Sequence, residues 1–124
     1  MIGLALLLAA QPLPICAHVP TQAAINHCAD LGYRRADATM TAQWQRALAA
    51  MRHMDAIDPG HGGMATGYAG ALLAAQRAWL GYRDAECTVQ GMRLAGGTAQ
   101  PAEVSNCKAT LSEARADQLK VLAK

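Results

Sequence analysis

Phenylalanine is absent from this 124-residue chain, and its aromatic side chains are limited to two Trp and three Tyr. A core with so few large rings must be filled by aliphatic and small side chains. Plentiful Ala, Leu and Met direct those toward helix rather than sheet. An excess of one charge sign is missing too. Eleven Lys and Arg stand against nine Asp and Glu, giving a formal net charge of +2. The signs are interspersed: segment 21–57 holds Arg34, Arg35, Arg46 and Arg52 against Asp30, Asp37 and Asp55, a balance of +1. This excludes a nucleic-acid stripe or a polybasic membrane arm, and gives no long-range steering toward a highly charged partner.

Reactive motifs are equally scarce. No C-x-x-C occurs, the four histidines form no ligand pattern, and His27 beside Cys28 points elsewhere on a helix, so no metal site is expected. Asp58-Pro59-Gly60-His61-Gly62-Gly63 is glycine-rich, but no strand precedes it and no Gly-Lys-Ser/Thr follows, so it reads as a flexible interhelical loop rather than a phosphate cradle. His61 within it reads as solvated. No serine or cysteine sits beside a base, and no carboxylate pair is placed for glycoside cleavage. The expectation is a protein that is not an enzyme and carries no cofactor.

Apolar runs are short. Ile2 to Ala10 is the longest, and Pro12 and Pro14 follow it closely. It is too short to span a bilayer and sits where the apolar part of a signal peptide would, although no Lys or Arg precedes it. Residues 1–15 are therefore read as a signal peptide cleaved before Cys16, and 16–124 as a single domain in the periplasm or outside the cell. Four cysteines in a short exported chain read as two disulfides with three connectivities open. Cys87 near the end of one predicted helix and Cys107 near the start of the next flank Gly96-Gly97, so a bridge there would staple a helical hairpin. The extended segment after Cys16 can fold back on Cys28. Cys16–Cys28 and Cys87–Cys107 are the favoured pairs.

Apolar residues recur at three- and four-residue steps. Ile25, Ala29, Ala36, Met40, Trp44, Ala47 and Met51 make one stripe of a helix predicted from Thr21 to Ile57. A second helix is predicted from Ala65 to Arg93 and ended by Gly96-Gly97. A third begins near Pro101, with Glu103 in its first turn and Val104, Cys107, Leu111, Arg115, Leu119 and Leu122 on one face. The methionines Met40, Met51, Met54, Met64 and Met92 read as helix-core filler. The fold expected is all-α, a small antiparallel bundle of three main helices stapled by two disulfides.

The most informative stretch is Ala75 to Cys87, AQRAWLGYRDAEC. Leu72, Gln76, Trp79, Arg83 and Cys87 fall close to one line of the second helix, so a glutamine and an arginine interrupt an apolar stripe. Arg115 interrupts the third helix in the same way, and Asp37 flanks the stripe of the first. Unpaired buried charge is too costly to persist, so these side chains need partners. One reading is a buried network in which Asp37, with Asp84 or Glu86, holds Arg83 and Arg115. The other is a groove in which Gln76, Trp79 and Arg83 face a bound molecule. The first is favoured, and Asp37, Gln76, Arg77, Trp79, Arg83, Asp84 and Arg115 are expected to be structural.

These residues carry a resemblance. AQRAWLGYRDAEC, together with Cys16, TQAAINHCA (Thr21 to Ala29), Ala36-Asp37, Gly96-Gly97, Cys107 and Leu111-Ser112-Glu113-Ala114-Arg115, resembles the N-terminal-domain family of LprI-like lysozyme inhibitors. It covers almost the whole chain from Cys16 onward. After the Ala-Asp pair the family usually shows Leu-Asn and then an aromatic, where Met40, Thr41 and Trp44 stand here; Ser112 replaces a usual threonine. The resemblance implies an exported helical domain that binds a protein partner, a lysozyme-type muramidase, by occlusion. The competing expectation is an envelope stability or assembly factor with no enzyme target. The resemblance assigns no inhibitory residue.

Overall fold

A computed structural model of the protein describes residues 14–124. The apolar run read as a signal, and all but the last two of residues 1–15, lie outside the described residues. The elements are α1 (Pro14–Ala17), α2 (Gln22–Ile57), α3 (Tyr68–Met92) and α4 (Gln100–Leu122), with a 3-10 turn at His61–Gly63. There is no strand among the described residues. Thr21 opens α2 as its N-cap, in extended conformation, its hydroxyl accepting from the Ala24 N–H at 3.1 Å. Asp58-Pro59-Gly60 ends that helix, and Pro101 lies in the first turn of α4. Consecutive long helices run antiparallel, so α2 and α4 point the same way with α3 opposed.

The tightest seam joins α2 to α4, and it is built from small side chains. Ala36 and Ala47 of α2 and Ala102, Ser112 and Ala116 of α4 are all buried. Without bulk between them the two backbones approach closely. This rotates α4 away from the expected face. Leu122 is exposed, whereas Ser112 and Ala116 join Cys107 and Leu119 inside. The stripe of α2 also stops short of its N-terminal end, where Ile25 lies exposed. Met64 and Met92, expected as core filler, are 69% and 63% exposed.

The apolar core gathers Met40, Ala47, Leu72, Ala116 and Leu119, with Trp44, Leu48, Met51 and Trp79 packed against it. Burying a side chain such as Leu119 stabilises the fold by about 2 kcal/mol. Two bridges hold one end of the bundle. Cys16 is bonded to Cys28 and Cys87 to Cys107, with Cα separations of 5.7 Å and 5.5 Å. At the same end the Asn26 amide donates to the Thr98 carbonyl at 2.9 Å, tying the start of α2 to the α3–α4 turn.

Candidate functional site

Below the Cys87–Cys107 bridge, the next turn of α3 brings Arg83 into the bundle. Its side chain is 7% exposed. Nη1 donates to Asp37 Oδ1 at 3.0 Å and reaches the buried Ser112 hydroxyl at 3.4 Å, while Nε donates to Asp84 Oδ1 at 3.0 Å. The guanidinium also stacks 5.3 Å from the ring centres of both Tyr33 and Trp79. Lys108 closes the cluster, 5.5 Å from the Tyr33 ring and 3.9 Å from Asp84. Burial opposes the charge on Arg83, but the hydrogen bonds to Asp84 and Asp37 outweigh it and hold its pKa above the ordinary arginine value. Tyr33 is pushed up by burial, against the opposing pull of Arg83. Through these contacts Arg83 of α3 links Asp37 of α2 to Ser112 of α4.

One turn further into the bundle the chemistry changes. Arg115 has no carboxylate within ion-pair distance among the described residues. Its Nε donates to Gln76 Oε1 at 2.9 Å and Nη1 to Gln118 at 3.1 Å, while Nη2 is buried without a partner. Burial lowers its pKa. Gln76 in turn donates to the Met40 sulfur at 3.2 Å, a weak acceptor. Glu86, considered above as a partner for the arginines, instead accepts from Gln90. Trp79 is half-buried between the two guanidinium groups, 5.9 Å from that of Arg115. Arg77 is exposed on the rim of an open groove of about 430 Å³ between α2 and α3, whose wall includes Asp37, Trp44, Gln76 and Arg83.

The glycine loop at the other end is not a loose linker. Asp55, near the end of α2, accepts from the Tyr68 N–H at 2.7 Å and the Ala69 N–H at 3.1 Å. It therefore caps α3 from thirteen residues upstream, which is why α3 starts at Tyr68 and not at Ala65. The Tyr68 hydroxyl donates to Asp58 at 2.6 Å, and that bond raises its pKa. His61 is half-buried rather than solvated, its Nδ1 3.6 Å from Asp55 and its ring edge-on to Tyr68. The turn needs left-handed backbone at His61, Gly62 and Gly63, with φ of 51°, 59° and 83°. Gly67 is required for a different reason. A Cβ there would lie 2.7 Å from Asp55 Oδ1 and 3.1 Å from the His61 ring.

Residues 16–119 match the profile of the family described as Lysozyme inhibitor LprI. The chain belongs to that family. The LprI match begins at Cys16, leaving out the apolar run of residues 2–10, and spans both bridges and the Arg83 cluster. A relative from Rhizobium meliloti (strain 1021), described as an uncharacterized protein, is 43% identical over 117 residues, covering 92% of this chain and 82% of its own. No solved structure gives a significant match.

Of the residues singled out in the LprI chain, Asp37, Trp79, Arg83 and Asp84 meet in one cluster, and Gln76 and Arg115 in the one beneath it. Arg77 joins neither. Several participants went unread, among them Tyr33, Lys108 and Gln118. Ser112 stood in the sequence as a family-motif position held by serine, with no sign that it would meet Arg83. Asp55 and Tyr68 had no local signal, because the contact between them is tertiary.

Proposed function

We propose that the protein is an exported inhibitor of a lysozyme-type muramidase, acting by occlusion with the turn between α2 and α3 as the inserted element. The family match over residues 16–119 carries this reading. Two disulfides suit an oxidising compartment, and a family match that starts at Cys16 is compatible with removal of the residues before it. No helix among the described residues is long and apolar enough to cross a membrane.

The turn supports occlusion because it is ordered before it meets anything. Asp55, Asp58, His61 and Tyr68 hold it from inside, while Met64 and Ile57 project at 69% and 61% exposure. A pre-organised wedge loses little entropy on entering a cleft. Its two carboxylates are committed to backbone amides and a tyrosine hydroxyl, which favours a binding role over hydrolysis.

Purified oxidised protein added to a lysozyme and cell-wall suspension tests this. Lysis should slow at micromolar inhibitor, and Met64→Arg should weaken the effect at least tenfold with the thermal midpoint unchanged. Folded protein that leaves lysis untouched, against several lysozymes, would remove the inhibitor reading in favour of an envelope factor without an enzyme target.

A further inference from the structure

The outward side of α3 carries a second periodicity. From Ala71, alternating steps of four and three residues reach Ala75, Ala78, Tyr82, Ala85, Val89 and Met92, the 3.5-residue spacing of a coiled-coil seam. All seven are exposed, Tyr82 at 55%, Val89 at 59% and Met92 at 63%. None of the four charged residues of α3, Arg77, Arg83, Asp84 and Glu86, occupies this stripe. An uncharged apolar seam about 31 Å long is unusual on the surface of a helix whose other face is already buried.

The sizes along the stripe identify the occupant. Its N-terminal half is all alanine, and its C-terminal half holds the large residues. Laid antiparallel on a copy of itself about a twofold axis at Tyr82, the stripe sets Met92 against Ala71, Val89 against Ala75 and Ala85 against Ala78. Large meets small at both ends and Tyr82 meets Tyr82, the self-complementarity of a closed two-fold interface. In a parallel pair the alanines would face alanines and leave a gap at one end. Covering the stripe on both copies removes roughly 1,000 Å² from water, the lower bound for a specific interface. A net charge of only +2 per chain offers little repulsion.

We infer that the protein forms an antiparallel homodimer through the outer stripe of α3, weak enough to dissociate on dilution. Because the α2–α3 turn adjoins the start of α3, the dimer carries two such turns at opposite ends of the seam. The pairing stands whether or not that turn inhibits a lysozyme.

Light scattering coupled to size exclusion, run on the mature oxidised protein over a dilution series, should show two copies at high concentration and one at low. Tyr82→Glu and Ala78→Glu, both at exposed helical positions, should give one copy throughout with an unchanged thermal midpoint. A wild-type chain that stays monomeric at millimolar concentration, or a heavier species that Tyr82→Glu preserves, overturns the inference. Orientation has its own readout. Under mild oxidation Tyr82→Cys should cross-link to itself, and Val89→Cys should cross-link to Ala75→Cys faster than to itself. Self-linking of Val89→Cys as fast as that of Tyr82→Cys overturns the antiparallel arrangement.

Discussion

The two ends of the bundle are held by different chemistry. At one end, two disulfides and a buried arginine fix α2, α3 and α4 covalently and electrostatically. At the other, the α2–α3 turn depends on hydrogen bonds from one tyrosine and two backbone amides to Asp55 and Asp58. The first end resists change in conditions; the second is ordered but can be undone one side chain at a time. A division of this kind lets the surface of the turn change without endangering the fold. Mutating each end separately shows whether stability and activity divide along the same line.

The largest effect on stability belongs to the bridged end. Replacing Cys87 and Cys107 together by alanine opens a 20-residue separation and should cost about 3 kcal/mol, read from chemical denaturation. Inhibition measured well below the lowered midpoint should persist, because the turn is at the far end. Loss of inhibition in folded double mutant would show that the two ends are coupled.

Arg83→Met comes next, at about 2 kcal/mol. The loss falls short of that for a fully enclosed pair because the side chains it abandons, Asp37 and Asp84, are 41% and 55% exposed and regain water. Arg115→Met provides the contrast. Its partners are amides, one of its nitrogens is unsatisfied and burial already works against its charge, so the change should be nearly neutral or slightly stabilising. A loss for Arg115→Met equal to that for Arg83→Met would contradict the difference drawn between the two arginines.

Those arginines also show what the sequence could and could not yield. Helix number and the antiparallel connection follow from periodicity, and so does the need of Arg83 and Arg115 for partners, because a charge on an apolar stripe is costly unpaired; the single network expected for them is in fact two clusters. Which partner is beyond periodicity. Asp37 and Arg83 are 46 residues apart and meet only because Ser112 and the alanines of α4 let the helices close. The acid expected for Arg115 is a glutamine for the same reason: α4 is rotated by its small residues, which carries Arg115 to Gln76. At the other end Asp55 lies on a helix with no mark of a cap, and glycines that read as looseness are there to admit a carboxylate and turn the chain.

Asp55→Ala tests that end. Loss of a two-bond cap should cost about 1 kcal/mol, less than removal of the bridge or Arg83→Met, yet lower inhibition more than either. Hydrogen exchange at Tyr68 and Ala69 should accelerate while the core amides keep their protection. An unaltered inhibition curve with those amides exchanging freely would mean that the order of the turn has no bearing on binding.

The smallest effect is confined to alkaline pH. The hydrogen bond to Asp58 raises the pKa of Tyr68, so the folded state favours the neutral hydroxyl. That contribution is fully present below about pH 10, the unfolded value, and is lost as pH rises through the folded value. Tyr68→Phe has no such proton to lose. The gap in thermal midpoint between wild type and Tyr68→Phe should therefore be constant up to about pH 9 and narrow above about pH 10. Tyr33, raised by burial within the Arg83 cluster, titrates in both proteins and cancels from the difference. A gap that stays constant through the alkaline range would show that the Tyr68 hydroxyl is not held by Asp58, and that the turn owes its order to the Asp55 cap alone.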